Sequence, residues 1–230
     1  AAGFIRPFPR TAATWFAYGI GMIAIIYASS AAFGAIQLKS DASASGFVSN
    51  LGNAMLAGIL VGLLEEIVFR GLVFRMFYTA LKPLPAIILS SVFFAILHFK
   101  ASAEAFTNTS PQEIGLYEGF YTAWAMMAAL VTEFDFTYLA SIFLVGVLLH
   151  QVFLLTSNLW ASAALHAGWV FTIKAVGGGF ETSSSANAFT GTTRVADGYL
   201  VILVLIVFCA IFAWKLPSKT ATLEERKVDI

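Results

Sequence analysis

Apolar stretches long enough, or nearly so, to cross a bilayer occupy residues 12–37, 51–81, 83–99, 117–131, 138–156, 158–176 and 199–215. Each predicts a helix. A span takes about 20 residues at helical rise, so 83–99 and 117–131 are short. The first is expected to extend past Phe99 or to tilt, and the second to be re-entrant or to join its successor through Thr132–Asp135. The stretch 51–81 is too long for one upright span. Its second half, Leu72 to Leu81 with Arg75, is expected to bend along the interface after Gly71. Pro83 and Pro85 open the next helix, where proline is tolerated. Loops fall at 38–50, 100–116 and 177–198. The last begins Gly177-Gly178-Gly179, continues with many Ser, Thr and Asn residues, and reads as a flexible polar link.

Composition turns this row of helices into a membrane protein. Of 230 residues, 59% are hydrophobic and only 11% charged, where a soluble domain has about a quarter charged. The fold expected is all-α, a polytopic transmembrane bundle of about 6–8 membrane helices, with membrane lipids as its surroundings. Three regions are expected: an N-terminal anchor helix and loop (1–50), a core bundle (51–176), and a polar loop, C-terminal transmembrane helix and charged tail (177–230). The formal net charge is zero and no basic block of the nucleic-acid-binding kind occurs, so nucleic acid is not an expected partner. Cys209 is the single cysteine, so there is no disulfide framework. Arg6, Arg10, Lys82 and the lysines and arginines after Trp214 all favour the cytoplasm, which requires an even number of crossings. Seven candidates were counted, so one does not cross or one conceals two. The stretch 117–131 is the first suspect.

Charge inside an apolar run is the next signal. A charged side chain at mid-membrane costs roughly 2.5–3.5 kcal/mol on insertion scales and usually faces the bundle interior. The candidates are Glu65, Glu66, Arg70, Lys174 and all three histidines: His98, His150 and His166. Glu66 and Arg70 stand four apart in the favourable acid-before-base order, which reads as a mutually neutralising pair. Glu65 is rotated about 100° from Glu66 and has no partner at helical spacing, which suits a general base. His98 ends the run Phe93–His98, with Phe94 one turn back on its own face. His166 is followed by Ala167 and Gly168, small residues that let another helix or a ligand approach. His150, mid-helix beside Gln151, reads as structural. A glutamate and two histidines on separate helices can hold Zn²⁺ with an open position for water. They can equally activate water without a metal, the glutamate as base, one histidine orienting the water and the other stabilising an oxyanion. The sequence leaves both open, with Glu65, His98 and His166 as the candidate ligands.

These residues resemble the CPBP family, the CAAX-protease and bacteriocin-processing intramembrane proteases, whose pattern is EExxxR, then FxxxH, then HxxxN or HxxxD on separate helices. Glu65-Glu66-Ile67-Val68-Phe69-Arg70 matches the first motif, with the typical Gly71 after it, and Phe94-Ala95-Ile96-Leu97-His98 the second. Ser157–Ala161 followed by His166-Ala167-Gly168-Trp169 is similar to the third region, upstream tryptophan included. The likeness covers about residues 50–176. It implies that Glu65 and His98 activate the water, that Glu66 and Arg70 support them, and that His166 holds the oxyanion or a metal. The last motif position departs from the family: Val170 stands where a polar residue is expected, and valine donates no hydrogen bond. Asn158 and Lys174 are the nearby polar side chains that could stand in.

The expected function is therefore an intramembrane endopeptidase acting on a membrane protein or peptide, weakened by Val170, in the inner (plasma) membrane of a prokaryotic cell with its C-terminal tail cytoplasmic. The alternative is a non-catalytic membrane subunit of a larger complex, built on a degenerate protease scaffold. A proton-coupled carrier using Glu65 and His98 as a relay ranks third, because no internal repeat is present.

Overall fold

The computed structural model describes residues 9–98, 115–132 and 134–216. It is a bundle of α-helices: α1 (Pro9–Ala32), α2 (Ala44–Glu66), α3 (Phe74–Ala80), α4 (Pro83–Leu97), α5 (Leu116–Thr132), α6 (Phe136–Thr156), α7 (Leu159–Val176) and α8 (Tyr199–Lys215). A short antiparallel ladder joins β1 (Ile36–Leu38) to β2 (Phe180–Thr182), with Ile36 opposite Thr182 and Leu38 opposite Phe180. Helix starts follow local chemistry. The side chains of Ser43, Asp135 and Asn158 each accept a backbone N–H in the first turn of α2, α6 and α7, the usual N-cap role. Pro83 opens α4, where its missing N–H has no cost.

α7 is the central helix, lying against both α1 and α2, while α6 lies between α4 and α8. Glycines make the first of these contacts close. A Cβ on Gly62 of α2 would fall 2.7 Å from the Ala167 nitrogen and 2.8 Å from the Ala163 oxygen of α7. A side chain at Gly168 of α7 would strike the backbone of α1 at Phe16. Small residues facing each other let helix backbones meet where apolar area alone gives no drive in lipid. One apolar core, with Met22, Ile26, Leu149, Leu165, Trp169 and Leu205, joins α1, α6, α7 and α8. A second, with Phe74, Tyr78, Ala86, Phe153 and Leu159, joins α3, α4 and the α6–α7 turn.

The long stretch 51–81 is helical almost throughout but not uniform. Directly after Glu66, residues Ile67–Val73 form a π-helical turn before α3 resumes. The expected bend after Gly71 is thus replaced by a local widening of the helix, a feature frequent at functional sites. Phe74 and Tyr78 of α3 are buried in the second core, so this half packs into the bundle.

The outer surface is apolar. Leu56, Ile59, Leu60 and Leu64 on α2, Ile88 and Leu89 on α4, and Leu203, Ile206 and Val207 on α8 are all exposed, as a lipid-facing wall would be. By length and composition, α1 from Arg10 and α6 suit crossing a membrane among the described residues, and α4 and α8 are apolar but shorter. The stretch expected to be a flexible link, 177–198, is folded. It contributes a 3₁₀ turn at Gly177–Gly179 and strand β2. Thr192 N–H and its hydroxyl both donate to Asp197, and Val195 is buried. The expected loop at 100–116 falls mostly outside the described residues, and the charged tail beyond Leu216 wholly so.

Candidate active site

The two adjacent carboxylates leave α2 in different directions, and each finds its own partners. Glu66 is wholly buried and Arg70 donates to its Oε1 from Nη1 at 2.7 Å. The other arm of the guanidinium, Nη2, donates to the Gly146 carbonyl of α6 at 3.1 Å. The guanidinium carbon also lies 5.0 Å from the centroid of the Phe94 ring, a cation–π contact. The pair is a structural clamp between α2 and α6 as well as a charge balance. Glu65 is partly open, with 28% of its side chain exposed, and reaches the imidazoles.

Glu65 Oε2 lies 3.2 Å from His98 Nε2 and 3.8 Å from His166 Nε2. The far nitrogen of each ring is already committed. His98 Nδ1 is 2.8 Å from the Phe94 carbonyl, and His166 Nδ1 is 3.2 Å from Glu66 Oε1. Both acceptors lack hydrogens, so both Nδ1 atoms carry the proton that is donated. In the neutral rings the two Nε2 lone pairs then face the Glu65 carboxylate, an arrangement of three acceptors that calls for a shared proton or a bound hydrogen-bond donor.

Phe94 is the seat of the arrangement. Its ring lies against His98, centroids 4.0 Å apart, and meets Phe69 edge-on at 4.8 Å. The hydroxyl of Tyr138 on α6 donates to the His98 carbonyl at 3.1 Å, fixing the end of α4. The five candidate residues Glu65, Glu66, Arg70, His98 and His166 are thus brought together from α2, the π turn, α4 and α7. His150 is not with them. It is fully buried, donates from Nδ1 to the Gly146 carbonyl at 2.7 Å and meets Phe74 edge-on, consistent with a structural part.

Neither stand-in for the missing polar group reaches the cluster. The Asn158 side chain caps the start of α7 by accepting from Trp160 N–H, about two turns before His166. Lys174 is exposed. Val170 lines a cavity of about 130 Å³ together with His98, His166, Phe94, Trp169 and Ser141. Arg194, from the folded 177–198 segment, is at its edge and pairs with Asp135 at 3.8 Å. Ser141 and Arg194 carried no signal in the sequence beyond being polar residues near apolar runs.

For a metal, the donors to weigh are Glu65 Oε2 and the two Nε2 atoms. Among the described residues no group of three or more His, Cys, Asp or Glu side chains is gathered closely enough to hold an ion. The 3.8 Å gap to His166 is the loose side of the set.

The site is a glutamate facing two imidazoles within an apolar bundle. Residues 47–172 match the family described as Type II CAAX prenyl endopeptidase Rce1-like, and the chain belongs to that family. The match covers the carboxylates, the π turn and both site histidines. It is a family of membrane-bound hydrolases, in keeping with the apolar helices seen here. Searches of curated proteins and of solved structures gave no match.

Proposed function

We propose that the protein is an intramembrane endopeptidase that hydrolyses a peptide bond in a membrane-associated substrate, with a prenylated C-terminal peptide as the substrate class the family suggests. The observation that carries this reading is the approach of His98 Nε2 and His166 Nε2 to one oxygen of Glu65. Water held between Glu65 and His98 gives a proton to the carboxylate as its oxygen attacks the carbonyl carbon of the scissile bond. His98 accepts a hydrogen bond from the water's second hydrogen and so orients it. The carbonyl becomes a tetrahedral oxyanion, and His166 is the nearest ring for stabilising it when its Nε2 is protonated. Glu65 then passes its proton to the departing amine nitrogen, the C–N bond breaks, and a carboxylic acid and an amine result. Glu66 and Arg70 hold the geometry and balance the charge without touching substrate.

The bundle is placed in an inner (plasma) membrane with about 6–8 helices crossing and the C-terminal tail in the cytoplasm. The positive-inside distribution of Arg10, Lys82 and Lys215 supports that reading. Val170 favours a second reading, a non-catalytic subunit of a larger membrane complex, because it places an apolar side chain beside His166. One experiment separates the two. Purified protein in liposomes is given an internally quenched farnesylated CAAX peptide and a library of membrane peptides, with products read by mass spectrometry. The protease reading expects cleavage that Glu65→Ala and His98→Ala abolish. Cleavage of nothing, or cleavage indifferent to Glu65→Ala, would sink it.

A further inference from the structure

The cavity beside Val170 is lined by two residues whose hydrogen-bond donors meet no acceptor among the described residues. Ser141 on α6 is completely buried and Trp169 on α7 is 5% exposed; the Ser141 hydroxyl and the Trp169 indole N–H are themselves both buried. Both residues line the cavity that His98, His166 and Val170 also line. A serine inside a helix usually returns its hydroxyl to a carbonyl one turn back, as Thr156 and Thr172 do in this bundle. Ser141 does not. Buried donors are almost always satisfied. Other unpartnered donors exist in the bundle, Tyr27 and Ser90 among them, but only Ser141 and Trp169 belong to the lining of the cavity shared with His98 and His166, which makes it a place for an acceptor brought from outside.

Their neighbours in the chain tie them to the site. Trp169 follows His166 by three positions, on the same helix face, with ring centroids 6.0 Å apart. Ser141 stands one turn beyond Tyr138, which holds the His98 carbonyl. Arg194, which also lines this cavity, is engaged with Asp135 and with the face of Tyr138, 4.9 Å from its centroid. Apart from these residues and the two histidines the lining is apolar, and a volume of about 130 Å³ suits a small acceptor group. The Glu65 carboxylate meets the same two imidazoles from α2, so the cavity and the carboxylate share His98 and His166.

We propose that Ser141 Oγ–H and Trp169 Nε1–H are the donors that receive the substrate's scissile carbonyl oxygen and stabilise the oxyanion, in place of the polar side chain that Val170 removes. This rests on the endopeptidase reading. It makes the Val170 departure a relocation of the oxyanion site from α7 alone to α6 and α7 together.

The test uses full-length protein in liposomes and the quenched farnesylated CAAX peptide, or whichever library peptide is cleaved. Ser141→Ala and Trp169→Phe are each expected to lower kcat about 10²–10³-fold, the usual cost of one oxyanion donor, with KM little changed. Thermal stability of Ser141→Ala should equal or exceed that of the parent, because the variant removes a buried hydroxyl that makes no bond. Adding Val170→Asn to Ser141→Ala should recover about tenfold or more. A parent that cleaves, with both single variants within about twofold of it, overturns this inference alone. A parent that cleaves no peptide overturns the endopeptidase reading and this inference with it.

Discussion

Glu66 and Arg70 are joined by a 2.7 Å ion pair from which solvent is entirely excluded, four residues apart across the junction of α2 and the π turn. Removing one partner of such a pair leaves a bare charge in the bundle. Arg70→Met is expected to cost about 3–5 kcal/mol, whereas Glu66→Gln combined with Arg70→Met should cost much less. Thermal unfolding in detergent, followed by intrinsic fluorescence, compares the two. Equal losses would show that packing, not charge, dominates at this position.

Phe94 supports three groups at once: the His98 ring, the Arg70 guanidinium and the Phe69 ring. Phe94→Leu keeps most of the volume and should cost less than about 1.5 kcal/mol in stability. It removes the flat surface on which His98 rests. Since misplacement by about 1 Å can cost about 10² in rate, turnover should fall well beyond what the stability change accounts for. Paired melting and peptide-cleavage measurements give both numbers.

Gly62 sets the distance between α2 and α7. Gly62→Val would force its Cβ into the Ala167 nitrogen and Ala163 oxygen, neither of which can swing aside. The helices must separate, at an expected cost of about 1–3 kcal/mol, and Glu66 then draws away from His166. Gly52, whose Cβ would meet nothing, is the matched control. Gly52→Ala should be neutral or slightly stabilising, and a melt series shows whether the two positions differ.

Asp135, at the mouth of α6 outside the apolar span, is partly buried, which pushes its carboxyl up. The Tyr138 N–H, the Thr137 hydroxyl and N–H, and Arg194 outweigh this and hold it below the usual carboxylate range. A carboxylate with a lowered folded-state pKa contributes stability that is fully present above the unfolded value, about 3.9, and is lost as pH falls through the lower folded value. Asp135→Asn should therefore melt below the parent at neutral pH. The difference should shrink as the buffer is taken below pH 4. Melting curves across pH 7 to 3 would expose a constant difference, which would argue for lost capping geometry rather than charge.

Metal dependence has a direct check. If Glu65 acts as the base on water held by His98, cleavage should survive prolonged EDTA treatment and dialysis. Loss of cleavage that Zn²⁺ restores would make Glu65, His98 and His166 ligands in place of a base and its two imidazoles.

Much of the bundle is legible in the sequence because long apolar runs and N-capping residues have few ways to fold. The extents of α6 and α7 follow from the apolar runs 138–156 and 158–176, and the Glu66–Arg70 pair from its four-residue spacing. The gathering of Glu65, His98 and His166 was inferable from charge in apolar surroundings and from the family motifs. What stayed hidden depends on tertiary contact. The π turn at Ile67–Val73 has no compositional marker. The folding of 177–198 comes from pairing with a strand some 140 residues away, which no local pattern encodes. Ser141 looks like any lone serine in a helix until its neighbours are known.

The β1–β2 ladder has a mechanical meaning as well. It fastens the turn that follows α1 to the segment carrying Arg194 and Val195, which borders the cavity. Helix α1 lies outside the stretch 47–172 that matches the family, yet Met22, Ile23 and Ile26 line the cavity, and the ladder joins the end of α1 to the segment that supplies another part of its lining. The first helix is thus part of the cavity's wall and not merely a tether to the lipid.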